Sequence, residues 1–95
     1  MPAYMIVQLN VTDPDRFAQY REAVPGVVAA FGGRYLVRGA TIEVLEGSHD
    51  GRRFVLFEFP SMEAIRTFWH SPEYAKVKPL RENAAELDAW AVPGA

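Results

Sequence analysis

Ninety-five residues, 49% apolar and 23% charged, describe one small domain spanning residues 1–95 and exclude intrinsic disorder. A net charge of −2 leaves a nucleic-acid role without an electrostatic footprint, and the lack of cysteine excludes disulfides, thiolate metal sites and a cysteine nucleophile. No apolar run approaches the roughly 18 residues of a membrane span, and Met1–Gln8 lacks the basic start of a signal peptide, so no membrane role and a cytoplasmic location are expected.

Ala3–Val11 alternates, with Ala3, Met5, Val7, Leu9 and Val11 on one side and Tyr4, Ile6, Gln8 and Asn10 on the other, which predicts a strand. Asp13-Pro14 supplies a cap and a proline suited to a helix start. Phe17, Tyr20, Val24, Val27, Val28 and Phe31 then recur at helical spacing. Pro25 removes a hydrogen bond to Arg21 and is expected to kink or split that helix, which Gly32-Gly33 ends. Arg34–Glu46 predicts a long extended stretch with a bend at Gly39-Ala40, followed by a loop at Gly47–Gly51. Arg52–Phe59 returns as a strand apolar on both faces, and such a strand needs cover on both faces. Ser61 caps a second helix carrying Ile65, Phe68 and Trp69. Ser71-Pro72 starts another, expected to run to about Glu86 with a kink at Pro79, and Leu87–Val92 is a last strand. Strand, helix, strand, strand, helix, strand is the ferredoxin-like order: α+β, with an antiparallel sheet carrying its helices on one face. At this size the economical cover for the other face is a second copy, which predicts a homodimer.

The block Gly32–Gly39, together with Tyr20, Val44–Gly47, Arg53, Glu58–Ser61, Ser71–Tyr74 and Arg81, resembles the domain-of-unknown-function family numbered 1330, over about Tyr4 to Leu87. The resemblance implies a dimeric α+β barrel, in which two ferredoxin-like sheets pack face to face. Relatives in that superfamily include cofactor-free monooxygenases, muconolactone isomerase and haem-degrading enzymes. The family carries no assigned reaction, so the resemblance implies a fold rather than a chemistry.

Arg34, Arg38, Arg53 and Arg81 match the family's arginines. They are either structural ion pairs, with Glu58 and Glu46 as partners, or an anion site built on the guanidinium fork. Arg38 is the candidate of choice, because the Gly39 bend can aim it into a cavity. Tyr20 and Tyr74 are core aromatics or ligand-orienting hydroxyls. His70 is a helix C-terminal residue or a general base, and His49 a solvated loop residue. Asn10, Trp69 and His70 resemble the trio of haem-degrading relatives, but adjacent Trp69 and His70 diverge by about 100° on a helix, which argues against haem. Two histidines 21 positions apart offer no metal motif, and Gly32-Gly33 ends a helix, so it is not a phosphate loop. The expectation is a cofactor-free enzyme without a metal, acting on a small organic molecule between sheet and helices. Its catalytic residues would be Arg38, His70 and Glu58, and its ligand-binding residues Tyr20, Tyr74 and Arg81. The alternative is a non-catalytic dimeric ligand-binding or structural module.

Overall fold

The alternating first segment forms strand β1 (Ala3–Val11) in the computed structural model, which describes all 95 residues. There follow α1 (Pro14–Ala30), β2 (Arg34–Ala40), β3 (Arg53–Phe59), α2 (Met62–Trp69), α3 (Pro72–Val77), a 3-10 turn (Lys78–Arg81) and β4 (Ala85–Pro93). The strands make one antiparallel sheet in the order β2-β3-β1-β4, the ferredoxin-like topology. Its register pairs Met5 with Phe57 and with Ala91, so the inward residues of the central strands share one face.

Each helix start is held by the residue the sequence offers for it. The Asp13 carboxylate accepts from the Arg16 N–H at 3.1 Å, and Ser61 Oγ accepts from the Ala64 N–H at 3.1 Å. Buried Ser71 accepts from the Tyr74 N–H at 3.0 Å and donates to the Phe68 carbonyl at 2.7 Å, joining α2 to α3 through one hydroxyl. At the end of α1 the Gly33 N–H donates to the Val28 carbonyl and the Gly32 N–H to the Ala29 carbonyl, both at 3.0 Å. That is the Schellman arrangement, with Gly32 in the left-handed region at φ +82°.

Three elements differ from expectation. Helix α1 runs unbroken through Pro25; Phe17, Val24 and Val28 are buried along it, and their packing holds the helix across a residue that costs an isolated one about 3 kcal/mol. Strand β2 stops at Ala40, because two irregularities in its pairing with β3, at Tyr35/Val37 and Arg38/Ala40, carry it off the sheet edge. The helix after Ser71 gives way to the 3-10 turn at Lys78-Pro79 and ends before Asn83, whose φ is +60°, so β4 begins at Ala85. The loop between β2 and β3 also differs. The His49 ring is tied down: Nδ1 accepts from the Gly51 N–H at 3.0 Å, which leaves Nε2 to donate to Gln8 Oε1 at 2.7 Å. Arg52 anchors the same loop to β4 through Asp88 at 2.6 Å.

The core lies between the sheet and the helices, around Met5, Val28, Phe57, Phe59, Phe68 and Tyr74. The other sheet face has no covering layer. Phe54, Leu56 and Ile6 on it are half-buried, and Trp90 and Val92 are 47% and 42% exposed. The molecule is a slab, 36 × 34 × 16 Å. Its surface of 6109 Å² exceeds the roughly 5,500 Å² expected for a monomer of this mass.

A Cβ on Gly33 would stand 2.7 Å from the Phe59 ring and 2.8 Å from Val28, both buried. Gly33→Val should therefore lower the unfolding free energy by about 2 kcal/mol or more in urea denaturation. Gly32→Ala should cost about 1 kcal/mol through its left-handed backbone alone.

Candidate functional site

The inner face of the sheet is not fully closed by the helices. A cavity of about 650 Å³ lies between them, and 14 of its 20 lining residues are hydrophobic. That volume falls within the roughly 300–1,000 Å³ typical of small-molecule sites. Strand β1 supplies Met5, Val7, Leu9 and Val11, its inward set. Helix α1 supplies Phe17, Tyr20, Arg21, Val24 and Pro25, which share one face at helical spacing. Phe68, Trp69 and Tyr74 close the far end as a group of mutually tilted rings, with Tyr74 centred 4.8 Å from Phe68 and 5.0 Å from Trp69.

Two phenols line this apolar space. Tyr20 and Tyr74 meet oxygen to oxygen at 2.9 Å. One phenol donates to the other, so the pair keeps one hydrogen for a ligand. Burial, then Tyr74 through its charge and its hydrogen bond, push Tyr20 well above the ordinary phenol range, while the nearby Arg81 guanidinium opposes the shift only in part. Tyr20 is therefore a neutral hydrogen-bonding group and not a base.

The rim is basic. Arg38 stacks over the Tyr35 ring at 4.2 Å, and its side chain makes no hydrogen bond or ion pair within the chain. Its aim follows from β2: the irregularity at Tyr35/Val37 brings Arg38 to the inner face opposite Val55, and a second at Arg38/Ala40, with Gly39 at φ +69°, follows directly. Arg53 Nη1 donates to the Gly39 carbonyl at 2.9 Å, and Arg21 lies over the Phe17 ring at 5.3 Å. Tyr35 is also raised by burial, against the opposing pull of Arg38.

Of the residues singled out from the sequence, the cavity gathers Arg38, Tyr20 and Tyr74. It does not gather Glu58 or His70. Glu58 pairs with Tyr4 and Arg34 in register, on the uncovered face, and its carboxylate binds Arg34 at 2.9 Å, with the sheet between it and the cavity. His70 is the exposed C-terminal cap of α2, beside a groove of about 260 Å³ between α2 and β4; one helical step separates it from Trp69, which lines the cavity. Arg81 is half-buried near Tyr20, with its Nε–H enclosed and without a partner, but it does not line the cavity. Arg53, one of the four arginines weighed for an anion site, does line it, as do Trp69, weighed only for haem, and Arg21, which the sequence did not single out. Arg53 stands at period two from Val55 and Phe57, and Arg21 at i+4 from Phe17, which was the available signal. No three histidine or carboxylate side chains gather to hold a metal, and no helix is long and apolar enough to cross a membrane.

A four-stranded antiparallel sheet, helices on one face only and a ligand-sized cavity between them define the class: a ferredoxin-like α+β domain with an internal cavity. Within that class the chain belongs to the family described as Domain of unknown function (DUF1330), whose model matches residues 2–95. No curated protein sequence matches the chain. Among solved structures it is similar to a protein of unknown function from Rhodopseudomonas palustris, at 19% identity over 99% of this chain and 82% of that one, with a TM-score of 0.72. A dimeric protein of unknown function and ferredoxin-like fold from Bacteroides fragilis aligns at 12% identity over 98% and 96% of the two chains, TM-score 0.65. SnoaB, a cofactor-independent oxygenase from Streptomyces nogalater, aligns at 12% identity over 99% and 93%, TM-score 0.61.

The raised phenols have a pH signature. The unfolded chain releases its tyrosine protons near pH ~10, before folded Tyr20 and Tyr35 release theirs. Their contribution is complete below that pH and is lost as the pH climbs through the higher folded values. Urea denaturation from about pH 9 to pH 11 should show stability falling, and less steeply in Tyr20→Phe than in the parent protein.

Proposed function

We propose that this protein is an enzyme that acts without a cofactor on a small organic molecule held in the cavity, by stabilising negative charge on a substrate oxygen. The observation that carries this is the placement of a phenol pair and an unpaired guanidinium around one apolar space. Donors fixed in a low-dielectric site stabilise a developing oxyanion far better than water does. Two reactions suit them. In one, a proton passes from a carbon next to a carbonyl to a water molecule and returns at another carbon, with the enolate oxygen held by the free phenol hydrogen and its charge offset by Arg38 at the rim. In the other, a methylene activated by a neighbouring phenol loses a proton, dioxygen takes up the electrons, and one oxygen atom becomes a carbonyl while the other leaves as water. The likeness to a cofactor-independent oxygenase supports the second.

A non-catalytic ligand-binding module is the second reading, and one observation favours it: no histidine or carboxylate lines the cavity, so the chain brings no ordinary general base to it. Under the enzymatic reading the substrate must be acidic enough to ionise without one.

A thermal-shift screen of phenols, lactones and small keto acids, followed by oxygen uptake on the hits, tests both readings. At least one hit should raise the melting temperature. Arg38→Met should lower kcat/KM by about a hundredfold with little change in melting temperature, because Arg38 has no carboxylate partner to strand. Binding without turnover of any hit supports the module, and no binding at all sinks both.

We also propose that the uncovered face pairs with that of a second copy. The thinness of the slab and the exposed Trp90 and Val92 support this, as does the dimeric neighbour from Bacteroides fragilis. Sedimentation at micromolar concentration should give twice 10.7 kDa, and Leu56→Glu should give the monomer.

A further inference from the structure

The cavity rim holds three guanidiniums and no counter-charge. Arg38 and Arg53 stand side by side on adjacent strands: Arg38 is in register with Val55, two residues along from Arg53, and Arg53 is tied to the carbonyl of Gly39 beside Arg38. Arg21 faces them from α1. The chain has 12 acidic residues against 10 lysines and arginines, yet none of the 20 residues lining the cavity is acidic. The arginine–carboxylate ion pairs lie elsewhere, at Arg34–Glu58, Arg52–Asp50 and Arg52–Asp88. Asp13, close to the rim in sequence through Pro14, is occupied in capping its own helix. Like charges brought together in a chain with an acidic surplus repel one another unless an anion joins them.

The three side chains are also held in place without being consumed. Arg38 and Arg21 rest on the faces of Tyr35 and Phe17, and Arg53 uses one N–H on Gly39. The remaining N–H groups stay open in the fork geometry that fits a carboxylate, and a guanidinium already ordered loses less freedom on binding.

We infer that the cavity takes an organic carboxylate, its charged end at the Arg21–Arg38–Arg53 rim, its aromatic or alicyclic body directed inward, and a second oxygen function at the Tyr20–Tyr74 pair. This rests on the cavity reading above and deepens it by naming the ligand class and orientation. The orientation follows from solvation: all three arginines are solvent-exposed, whereas Tyr74 and Phe68 at the far end are buried. A carboxylate at the rim keeps part of its water; one at the far end would lose it.

The test is calorimetric titration with matched acids and amides: benzoate and benzamide, 2-naphthoate and 2-naphthamide, 4-phenylbutyrate and 4-phenylbutanamide. Trp90→Phe leaves Trp69 as the only indole and so a cavity reporter. At least one acid should bind about tenfold or more tighter than its amide, with a change in Trp69 emission. Arg38→Met and Arg53→Met should each reduce the acid's affinity towards that of its amide and leave the amide's affinity unchanged. The wild-type ratio needs no variant, so it decides even if one fails to fold. Equal binding of every acid and amide, or a preference that survives in the double variant, overturns the carboxylate inference and leaves the cavity reading standing. No binding by any member of either series, with Trp69 emission unmoved, overturns both.

Discussion

The pleat of the two central strands organises the rest of the molecule. Successive side chains on β1 and β3 point to opposite faces, and helices cover only one of those faces. Met5, Val7, Leu9, Val55 and Phe57 therefore meet the helices, and Ile6, Gln8, Phe54, Leu56 and Glu58 meet none. A slip of one residue in the β1–β3 register would turn one strand over relative to the other and bring either Leu56 and Glu58 or Ile6 and Gln8 to the core face. The same constraint separates the two tasks of the sheet. Its inner face holds the cavity and its charged rim, while its outer face carries the ion pairs Arg34–Glu58 and Arg52–Asp88.

Within that frame β2 supplies the departure from regularity that matters for chemistry. A straight edge strand would have alternated its arginines in step with β3. The irregularity at Tyr35/Val37 instead sets Tyr35 and Arg38, three residues apart, on the same inner face. The aromatic ring then becomes a platform for the guanidinium, and the carbonyl of Gly39 a tether for Arg53.

What was legible in the sequence was whatever one local rule decides. The bounds of β1, the caps Asp13, Ser61 and Ser71, and the glycine pair that ends α1 stand where alternation, side-chain oxygens and glycine's backbone freedom place them. Arg38 could be singled out because a glycine follows it. The misplacements share another cause. Pro25 does not break α1 because tertiary packing outweighs a local penalty, and Arg34–Glu46 stops pairing at Ala40 because two irregularities carry it away from β3. Glu58 and His70 carry chemically suitable groups, but which face a side chain takes depends on register and helix rotation, and composition does not reveal either. Arg21 was hidden for the opposite reason: a charged residue on an apolar helix stripe reads as solvent-facing until a cavity is found beneath it.

The phenol pair has one more property. A hydrogen bond between two identical hydroxyls has no fixed direction: Tyr20 can donate to Tyr74, or Tyr74 to Tyr20, with the oxygens unmoved at 2.9 Å. A ligand carbonyl is met by the free hydrogen, and a ligand hydroxyl by an oxygen lone pair, without any rearrangement of heavy atoms. Oxidation that turns an alcohol or enol into a ketone therefore does not change the fit at this end of the cavity. Reduced and oxidised forms of one molecule would be held alike there, and selection between them is left to shape and to charge.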